Sequence, residues 1–548
     1  MSDLTRKFLK INGKDNVLIT LTDLSQGTIL QDSERIVILK EDIPSKHKIF
    51  INDMQEGELV YMYGVIVGKL TKEVKSGMKM TTLNTIHEAA SFAYRENQYQ
   101  WEKPDISKFK GRNFMGYKRS DGKVGTANYW LFMPTVFCEN RNLDVIKEAL
   151  HHSLGYAVTD KYLNYANLLS QSIENEEDIL NIEFSAYSEP SKKVFKNIDG
   201  IKFLNHQGGC GGTRDDSEVL SKLLAAYADH PNVAGITVLS LGCQHLQVEQ
   251  LKSDIFKRNP NFKKPLLVFE QQLEKSENNF IKEAILQTFI NLKNVNNINR
   301  EPAPLNKLVL GVKCGGSDGF SGISANPAVG VAADILVALG GTVLLAEFPE
   351  LCGAEQDLID RCTSETIANK FIKLMQQYND SAHAVGSGFH MNPSPGNIKD
   401  GLTTDAIKST GAATKGGYSP VTDVLDYTEP TTIRGLNLVC TPGNDVEATT
   451  GKAAAGATLI LFTTGLGTPT GNPVCPVIKV ATNSDLAKRM PDIIDIDTGA
   501  IITGEKTVAQ MGEEILEFCI KVASGKYSPK AVQLGQDDFI PWKRGVSL

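Results

Sequence analysis

The stretch "KLVLGVKCGGSDGFSGISANPAVGVAADILVALG", residues 307–340, decides the fold class. It begins with an apolar run of strand length, continues through a glycine-rich loop and ends in a segment with helical apolar spacing. The loop begins beside Cys314, where the apolar run stops. A strand, a short loop and a helix in this order form the repeating unit of a doubly wound α/β fold.

The same order recurs along the chain from about residue 113. Apolar runs that lead into loops of glycine, proline and polar residues lie at 201–204, 236–241, 342–346, 436–440 and 457–462. Segments with helical spacing follow the first two of these runs. The pattern therefore predicts two α/β domains with largely parallel sheets, over residues 113–298 and 299–548.

Residues 1–90 show a different pattern. Short apolar or alternating runs, such as "NVLITLTDL" at 16–24 and "ELVYMYGVIVGKL" at 58–70, are separated by turn residues. This spacing predicts a small, independent β-rich module. Residues 91–112 are polar and aperiodic, which is typical of a linker.

Length and charge limit the classes of function. At 548 residues the chain is too long for one core and should hold roughly three or four domains. A net charge of −7 gives no reason to expect a nucleic acid or an anionic membrane as partner, although a local basic pocket could take a small anionic substrate. The N-terminal residues lack the apolar core of a secretory signal, and no apolar run approaches the roughly 20 residues of a membrane span. We expect a cytoplasmic protein.

Three of the nine cysteines share one sequence context. Cys210, Cys243 and Cys314 each follow an apolar strand within a glycine-rich loop, at the edge where open α/β sheets bind ligands. Converging thiolates suit a soft or borderline metal, including an iron–sulfur cluster, and His206 could add a ligand or a base. The alternative is that each thiol is a small buried hydrophobe. The cysteines without this context are expected to be structural, namely Cys138, Cys352, Cys362, Cys440, Cys475 and Cys519.

Other polar side chains are expected at the same edges. Together they would offer the many donors and acceptors that a polyhydroxylated substrate needs, while each alone could be a solvated loop residue or a helix cap. The glycine-rich loops match neither the Walker nor the Rossmann spacing. The candidate substrate-binding residues are Ser317, Asp318, Ser321, Asn326, Glu347, Asn392, Asn397 and Asp445.

At these motifs the chain resembles the altronate/galactarate dehydratase family of sugar-acid hydro-lyases, over residues 14–525. The N-terminal block is similar to the SAF-type β-clip module of that family. The motifs that carry the resemblance are "NHQGGCGG" (205–212), "LGCQ" (241–244), "CGGSDGFSGISANPAVG" (314–330), "AEFPELCGAE" (346–355), "NPSPGN" (392–397), "TPGND" (441–445) and "FTTGLGTPTG" (462–471).

The resemblance implies removal of water from a sugar acid such as D-altronate, which gives a 2-keto-3-deoxy acid (2-dehydro-3-deoxy-D-gluconate). It also implies assistance by Fe2+, as a single ion or within an iron–sulfur cluster, with Mn2+ left open. On this basis the metal ligands are Cys210, Cys243 and Cys314, and the catalytic residues are His47, Lys48 and His206. A homodimer also remains open.

Four positions depart from the family pattern, namely Thr81, Leu83, Gln244 and Leu466. They leave the substrate in doubt, so that galactarate or another aldarate is an alternative to altronate. They also leave open a non-catalytic regulatory homologue that binds a sugar acid. Elimination of sulfite from a sulfonated hydroxy acid ranks lower, because the SAF-like module is fused to this chain.

Overall fold

The structure is a computed structural model that describes residues 6–32, 35–96, 99–157, 160–176, 178–185 and 192–544. Its strands are β1 Phe8–Leu9, β2 Val17–Thr20, β3 Ile29–Asp32, β4 Arg35–Ile38, β5 Lys48–Phe50, β6 Leu59–Met62, β7 Val65–Leu70, β8 Thr85–Ile86, β9 Asn113–Lys118, β10 Val124–Gly125, β11 Tyr129–Pro134, β12 Gly200–Phe203, β13 Val233–Ser240, β14 Leu266–Glu270, β15 Glu301–Pro304, β16 Val309–Cys314, β17 Thr342–Ala346, β18 Val421–Leu425, β19 Gly435–Val439, β20 Leu459–Thr464, β21 Val477–Ala481 and β22 Ile496–Asp497. Its α-helices are α1 Asn140–Leu154, α2 Asp160–Glu174, α3 Arg214–Asp229, α4 Val248–Arg258, α5 Glu277–Val295, α6 Ala325–Ala338, α7 Glu355–Asp360, α8 Glu365–Ala384, α9 Pro395–Lys399, α10 Asp405–Ala413, α11 Asp445–Ala455, α12 Ser484–Arg489, α13 Gly499–Thr503, α14 Val508–Ala523 and α15 Lys530–Gln533.

The first eight strands form the predicted β-rich module. They pair antiparallel in three small sheets, with the orders β1-β2-β5, β3-β4 and β6-β7-β8. One apolar cluster of the module also contains Leu402 and Ile407 of the C-terminal domain. The module is therefore packed directly on that domain.

The segment predicted to be a linker lies along the C-terminal domain. Arg95 Nε donates to Asp360 Oδ1 at 2.8 Å, Arg112 Nη2 donates to Glu517 Oε1 at 2.9 Å, and Phe109 is buried. These contacts fix the path of the chain between the module and the second domain.

The second domain is built on four parallel strands in the order β12-β11-β13-β14. Alternate residues of β11 point to opposite faces, as a pleated strand requires. Trp130 and Phe132 join a cluster with residues of α1 and α5, whereas Leu131 and Met133 join a cluster with residues of α3 and α4. The second cluster also contains Phe462 of β20, so the core continues into the C-terminal domain.

The C-terminal domain is built on seven parallel strands in the order β18-β19-β17-β16-β20-β21-β22. This sheet, the four-stranded sheet and the N-terminal module together confirm the predicted fold class. The stretch 307–340 forms β16, a loop and α6, as its pattern predicts. Among the described helices, none combines the length and the apolar character that crossing a membrane would need.

Candidate active site

A cluster of buried charges lies at the carboxyl edge of the seven-stranded sheet. Lys313 near the end of β16 forms an ion pair with Glu347, which follows β17, and its Nζ lies 3.0 Å from Asp445 Oδ1 at the start of α11. Lys415 Nζ lies 3.1 Å from Glu347 Oε2 and 3.3 Å from Cys314 Sγ. Parallel strands bring these side chains together because their carboxyl ends meet at one edge.

Two further lysines complete this group. Lys452 Nζ lies 3.7 Å from Glu347 Oε2, and Lys408 Nζ donates to Glu350 Oε1 at 2.9 Å and to Asn392 Oδ1 at 2.8 Å. We call the set the lysine cluster, which consists of Lys313, Lys408, Lys415, Lys452, Glu347, Glu350, Asp445 and Cys314. Four ammonium groups face three carboxylates, so the cluster carries an excess of positive charge.

The environment shifts the pKa values of several groups in this cluster. Burial alone would raise the pKa of Glu347, but the adjacent lysines lower it to about 2. Burial lowers the pKa of Lys452 to about 8 and raises the pKa of the Cys314 thiol. A lysine with a pKa close to neutrality can exchange protons at physiological pH, which is a property of catalytic lysines.

The N-terminal module reaches the C-terminal domain through the loop that carries Lys46, His47 and Lys48. Lys46 Nζ lies 3.0 Å from Asp318 Oδ2, and Lys48 Nζ donates to the carbonyl oxygen of Gly401 at 2.6 Å. A Cβ atom on Gly401 would lie 2.3 Å from the carbonyl oxygen of Lys46, so glycine is needed for this close approach. Burial lowers the pKa of Lys48 to about 7.

His47 lies at the seam between the module and the C-terminal domain. Its ring is partly buried, and Nδ1 lies 3.0 Å from the carbonyl oxygen of Ser45. Burial lowers the pKa of His47, which favours the neutral imidazole. The structure thus brings both predicted catalytic residues of the module, His47 and Lys48, against the C-terminal domain.

Several predicted substrate-binding residues form hydrogen bonds that hold the loop after β16, and their role in substrate binding stays a prediction. Asp318 accepts from Ser321 Oγ and Thr482 Oγ1, each at 3.1 Å. Asn326 donates to the carbonyl oxygen of Gly411 at 3.0 Å. Further along the chain, Asn397 Nδ2 donates to the carbonyl oxygen of Ser317 at 2.8 Å. Of the remaining candidates, Glu347 and Asp445 belong to the lysine cluster and Asn392 contacts it.

The predicted thiol ligands lie on two different sheets. Cys314 is buried at the edge of the seven-stranded sheet, whereas Cys210 and Cys243 are exposed at the edge of the four-stranded sheet. A single metal shared by these three thiols stays a prediction.

His206 lies close to the loop of Cys210 but has other partners. Its Nε2 lies 2.9 Å from the carbonyl oxygen of Pro134, and its Nδ1 accepts from the backbone N–H of Gly208 at 3.1 Å. Burial lowers its pKa to about 4. Because both ring nitrogens are engaged with the backbone, this geometry holds the loop and gives no support to a catalytic role.

Two groups of side chains within the described part of the chain have ligand atoms within 4.8 Å of one another. One contains Cys314, Glu347 and Glu350, and the other contains His87, Cys352 and Asp405. The first group is surrounded by lysines, which oppose a further cation. The second offers nitrogen, sulfur and oxygen donors, a set that divalent transition metals accept.

The sequence analysis missed the lysines of the cluster and Lys46. A signal was present, because Lys313, Lys415 and Lys452 lie within runs of apolar and small residues, "GVKCGG", "ATKGG" and "GKAAAG". A lysine in such a run is expected to be buried, and a buried lysine is normally paired.

Gln244, one of the departures from the family pattern, has a structural role in the Cys243 loop. Its side-chain oxygen accepts from the backbone N–H of Gly242 at 2.7 Å, and its amide nitrogen donates to Ser240 Oγ at 2.8 Å. Of the other departures, Leu83 and Leu466 are exposed.

Three family models match consecutive segments of this chain, and these segments correspond to the module and the two α/β domains. The altronate/galactarate dehydratase SAF domain matches residues 6–88, the second domain of D-galactarate dehydratase/altronate hydrolase matches 116–296, and the C-terminal domain of D-galactarate/altronate dehydratase matches 305–547. Altronate dehydratase of Escherichia coli K12 is 33% identical, over 95% of this chain and 96% of that protein. Altronate dehydratase of Bacillus subtilis 168 is 32% identical, over 99% of this chain and 100% of that protein. Galactarate dehydratase (L-threo-forming) of Escherichia coli K12 is 30% identical, over 97% and 95%.

Proposed function

This chain belongs to the altronate/galactarate dehydratase family of hydro-lyases, and we propose that it removes water from D-altronate to give 2-dehydro-3-deoxy-D-gluconate. Two altronate dehydratases match it over nearly their whole length, at 33% and 32% identity. The galactarate enzyme matches at 30%, so the margin between the two substrates is narrow.

The reaction sets three chemical requirements. A base must take the weakly acidic proton beside the carboxylate, the negative charge that develops must be stabilised, and the C3 hydroxyl must leave. We propose Fe2+ as the cofactor, because a bound iron acts as a Lewis acid on carboxylate and hydroxyl oxygens. The protein must then bind the anionic substrate and move the protons.

The observation that carries the proposal is the excess positive charge of the lysine cluster. Within the cluster four lysines face three carboxylates, so one further anion would balance the charges of the cluster itself, at the sheet edge where α/β proteins bind ligands. A substrate carboxylate would supply that counter-charge. The side chain of Asp445, 28% exposed, connects this otherwise buried group to solvent.

His47 is the proposed acid–base residue. Its partly buried ring lies on the loop of the N-terminal module that contacts the C-terminal domain, and its lowered pKa favours the neutral form that accepts a proton. Because the N-terminal module carries this residue, docking of the module would complete the site.

A panel of sugar acids tests the reaction. Protein loaded anaerobically with Fe2+ is incubated with D-altronate, galactarate and D-glucarate, and with sulfolactate as a check for sulfite release. Formation of the 2-keto-3-deoxy acid is measured. We expect turnover of D-altronate. Exclusive turnover of galactarate would assign the chain to the other branch, and binding of sugar acids without turnover would support the regulatory alternative.

Replacement of His47 tests the proposed acid–base role. His47→Ala should lower kcat by about 10²- to 10⁴-fold, the usual range for a lost acid–base group, and leave the iron content unchanged. His152→Ala is the matched control, since His152 is exposed on α1 in the second domain. If the two variants are equally active, His47 has no acid–base role and is only a surface residue between the module and the C-terminal domain.

A further inference from the structure

A group of potential metal ligands lies where the N-terminal module meets the C-terminal domain. His87 directly follows β8 at the end of the module, Cys352 lies in the loop before α7, and Asp405 is the first residue of α10. One ligand atom from each of these side chains lies within 4.8 Å of the other two. Because the three residues are far apart in the sequence, docking of the module on the C-terminal domain brings them together.

The distance between the sulfur and the nitrogen suits a tetrahedral metal ion. Cys352 Sγ lies 3.8 Å from His87 Nε2. An ion with a metal–sulfur bond of about 2.3 Å and a metal–nitrogen bond of about 2.1 Å holds two such ligands about 3.6 Å apart. Both side chains are only partly buried, which leaves a path for an ion from solvent. The two residues would therefore need to move little to bind one ion.

Asp405 contributes a buried oxygen without a hydrogen-bond partner among the described residues. The residue is 1% exposed, and its Oδ1 accepts from Ser409 Oγ at 3.0 Å, whereas its Oδ2 is left unsatisfied. A buried acceptor without a donor costs free energy, and a metal ion would satisfy it. The carboxylate is thus an unfilled ligand position at the centre of the group.

A second buried carboxyl lies beside the same thiol. Burial and the neighbouring carboxyls of Glu355 and Asp405 raise the pKa of the Cys352 thiol. Burial also raises the pKa of Glu355 to about 7. Two carboxyls and a thiol in one buried region offer negative charge that a divalent cation would balance.

The other ring nitrogen of His87 contacts the first turn of α10. The backbone N–H of Ala406 donates to Nδ1 at 3.3 Å, which is long for a hydrogen bond. A neutral imidazole that binds a metal through one nitrogen carries its proton on the other. Binding through Nε2 would therefore place the proton on Nδ1, at the cost of this one long hydrogen bond.

We propose that His87, Cys352 and Asp405 bind one Zn2+ ion, which joins the N-terminal module to the C-terminal domain. Zinc accepts imidazole, thiolate and carboxylate ligands in a tetrahedral arrangement, and Glu355 or a water molecule would be the fourth ligand. The Cys352 thiol releases its proton to solvent when it binds the ion. The site has a structural role, separate from the proposed reaction.

The ion would also fix one ion pair of the lysine cluster. Glu350 lies two residues before Cys352, and Lys408 lies three residues after Asp405. Lys408 Nζ donates to Glu350 Oε1 at 2.9 Å, so this pair bridges the two segments of the C-terminal domain that carry the metal ligands. Zinc binding would hold both segments in the positions that the pair needs.

Cobalt substitution tests the site without an assay of activity. The full-length chain carries Cys138→Ser, Cys210→Ser and Cys243→Ser, which remove the exposed thiols of the four-stranded sheet. This background protein is freed of metal with a chelator, kept in reductant under anaerobic conditions and titrated with Co2+. We expect one Co2+ per chain, with the near-ultraviolet charge-transfer absorption of a thiolate ligand, and displacement of Co2+ by Zn2+. Absence of this absorption would overturn the proposal.

Further substitutions in the same background identify the ligands. Cys352→Ser should lose the charge-transfer absorption, and His87→Ala and Asp405→Asn should each weaken Zn2+ binding by at least about 10-fold. Cys362→Ser is the control and should retain both, because Cys362 is also partly buried and its thiol donates to the carbonyl oxygen of Leu358.

Circular dichroism of each metal-free variant shows whether it folds. His87→Ala keeps the test open if Cys352→Ser does not fold, since the side chain of His87 is only partly buried. Retention of the charge-transfer absorption in Cys352→Ser would overturn the site. Unchanged Zn2+ affinity in both His87→Ala and Asp405→Asn would also overturn it, since the ion would then lie elsewhere.

Discussion

The carboxyl edges of the two parallel sheets differ in the same protein. The edge of the seven-stranded sheet is closed, since Cys314, Lys313, Lys415 and Glu347 are all buried. The edge of the four-stranded sheet is open, and its thiols at Cys138, Cys210 and Cys243 are exposed. The closed edge therefore concentrates electric charge, and the open edge presents soft ligands to solvent.

This difference shows that similar strand–loop–helix units can place different chemical groups at the edges of their sheets. At the closed edge the charged groups are removed from water, so each depends on its oppositely charged partner. Removing or adding one charge should therefore change the free energy of unfolding strongly. At the open edge water reaches the three thiols, which therefore contribute little to packing. The first edge has the charges that recognition of an anion needs, and the second has thiols that solvent can reach.

The largest expected effect is on stability at the closed edge. Glu347→Gln leaves Lys313, Lys415 and Lys452 buried without their shared counter-ion. Breaking a buried ion pair in this way should reduce the free energy of unfolding by about 3–5 kcal/mol. Urea unfolding monitored by circular dichroism measures the change.

An exposed ion pair provides the matched control. Glu429 pairs with Lys370 on the surface at 2.8 Å, so Glu429→Gln should cost less than about 1 kcal/mol. If the two variants unfold at the same urea concentration, the lysines of the cluster do not depend on Glu347 and the contrast between the edges fails.

The fold was predictable from sequence because its signal is local. The run ending at Cys314, the glycine loop and the apolar spacing of α6 lie within one stretch of 34 residues, 307–340. The site was less predictable because it depends on sheet membership and long-range pairing. Sequence order does not show that β16 and β13 belong to different sheets, and so it does not show how Cys314 and Cys243 lie relative to each other.

Two other features of the sheet edges could not be predicted from sequence, for physical reasons. Cys138 lies in "TVFCENRN", without the glycines that mark the other loops, so its sequence context gave no sign of exposure. Lys415 and Glu347 are 68 positions apart and meet only through packing of β17 against the segment after α10. Pairings of this kind are set by the tertiary structure and not by local periodicity.

The second prediction concerns Lys48, through which the N-terminal module contacts the C-terminal domain. Lys48 has a pKa of about 7 in the folded protein, lowered by burial from 10.5. Between these values the unfolded chain holds a proton that the folded chain lacks, so the contribution of Lys48 to stability rises with pH. Relative to Lys48→Met, the wild-type protein should gain about 2 kcal/mol between pH 7 and pH 9.

Urea unfolding of both proteins at the two pH values measures this gain. Lys75→Met is the control, since Lys75 is exposed on the same module and should show no comparable dependence. A difference between wild type and Lys48→Met that stays constant from pH 7 to pH 9 would mean that Lys48 keeps its charge when buried.

The smallest expected effect is at the open edge and concerns the metal-free protein. Cys138→Ser, Cys210→Ser and Cys243→Ser should each change the free energy of unfolding by less than about 0.5 kcal/mol, because exposed side chains contribute little to stability. Cys519→Ser is the buried control on α14 and should cost about 1 kcal/mol or more, since it places a hydroxyl in an apolar core. Protein treated with a chelator and kept in reductant is unfolded in urea for all four variants. A large loss in any open-edge variant would make that thiol a packing residue. Near-zero losses would show that packing does not require thiols at these three positions.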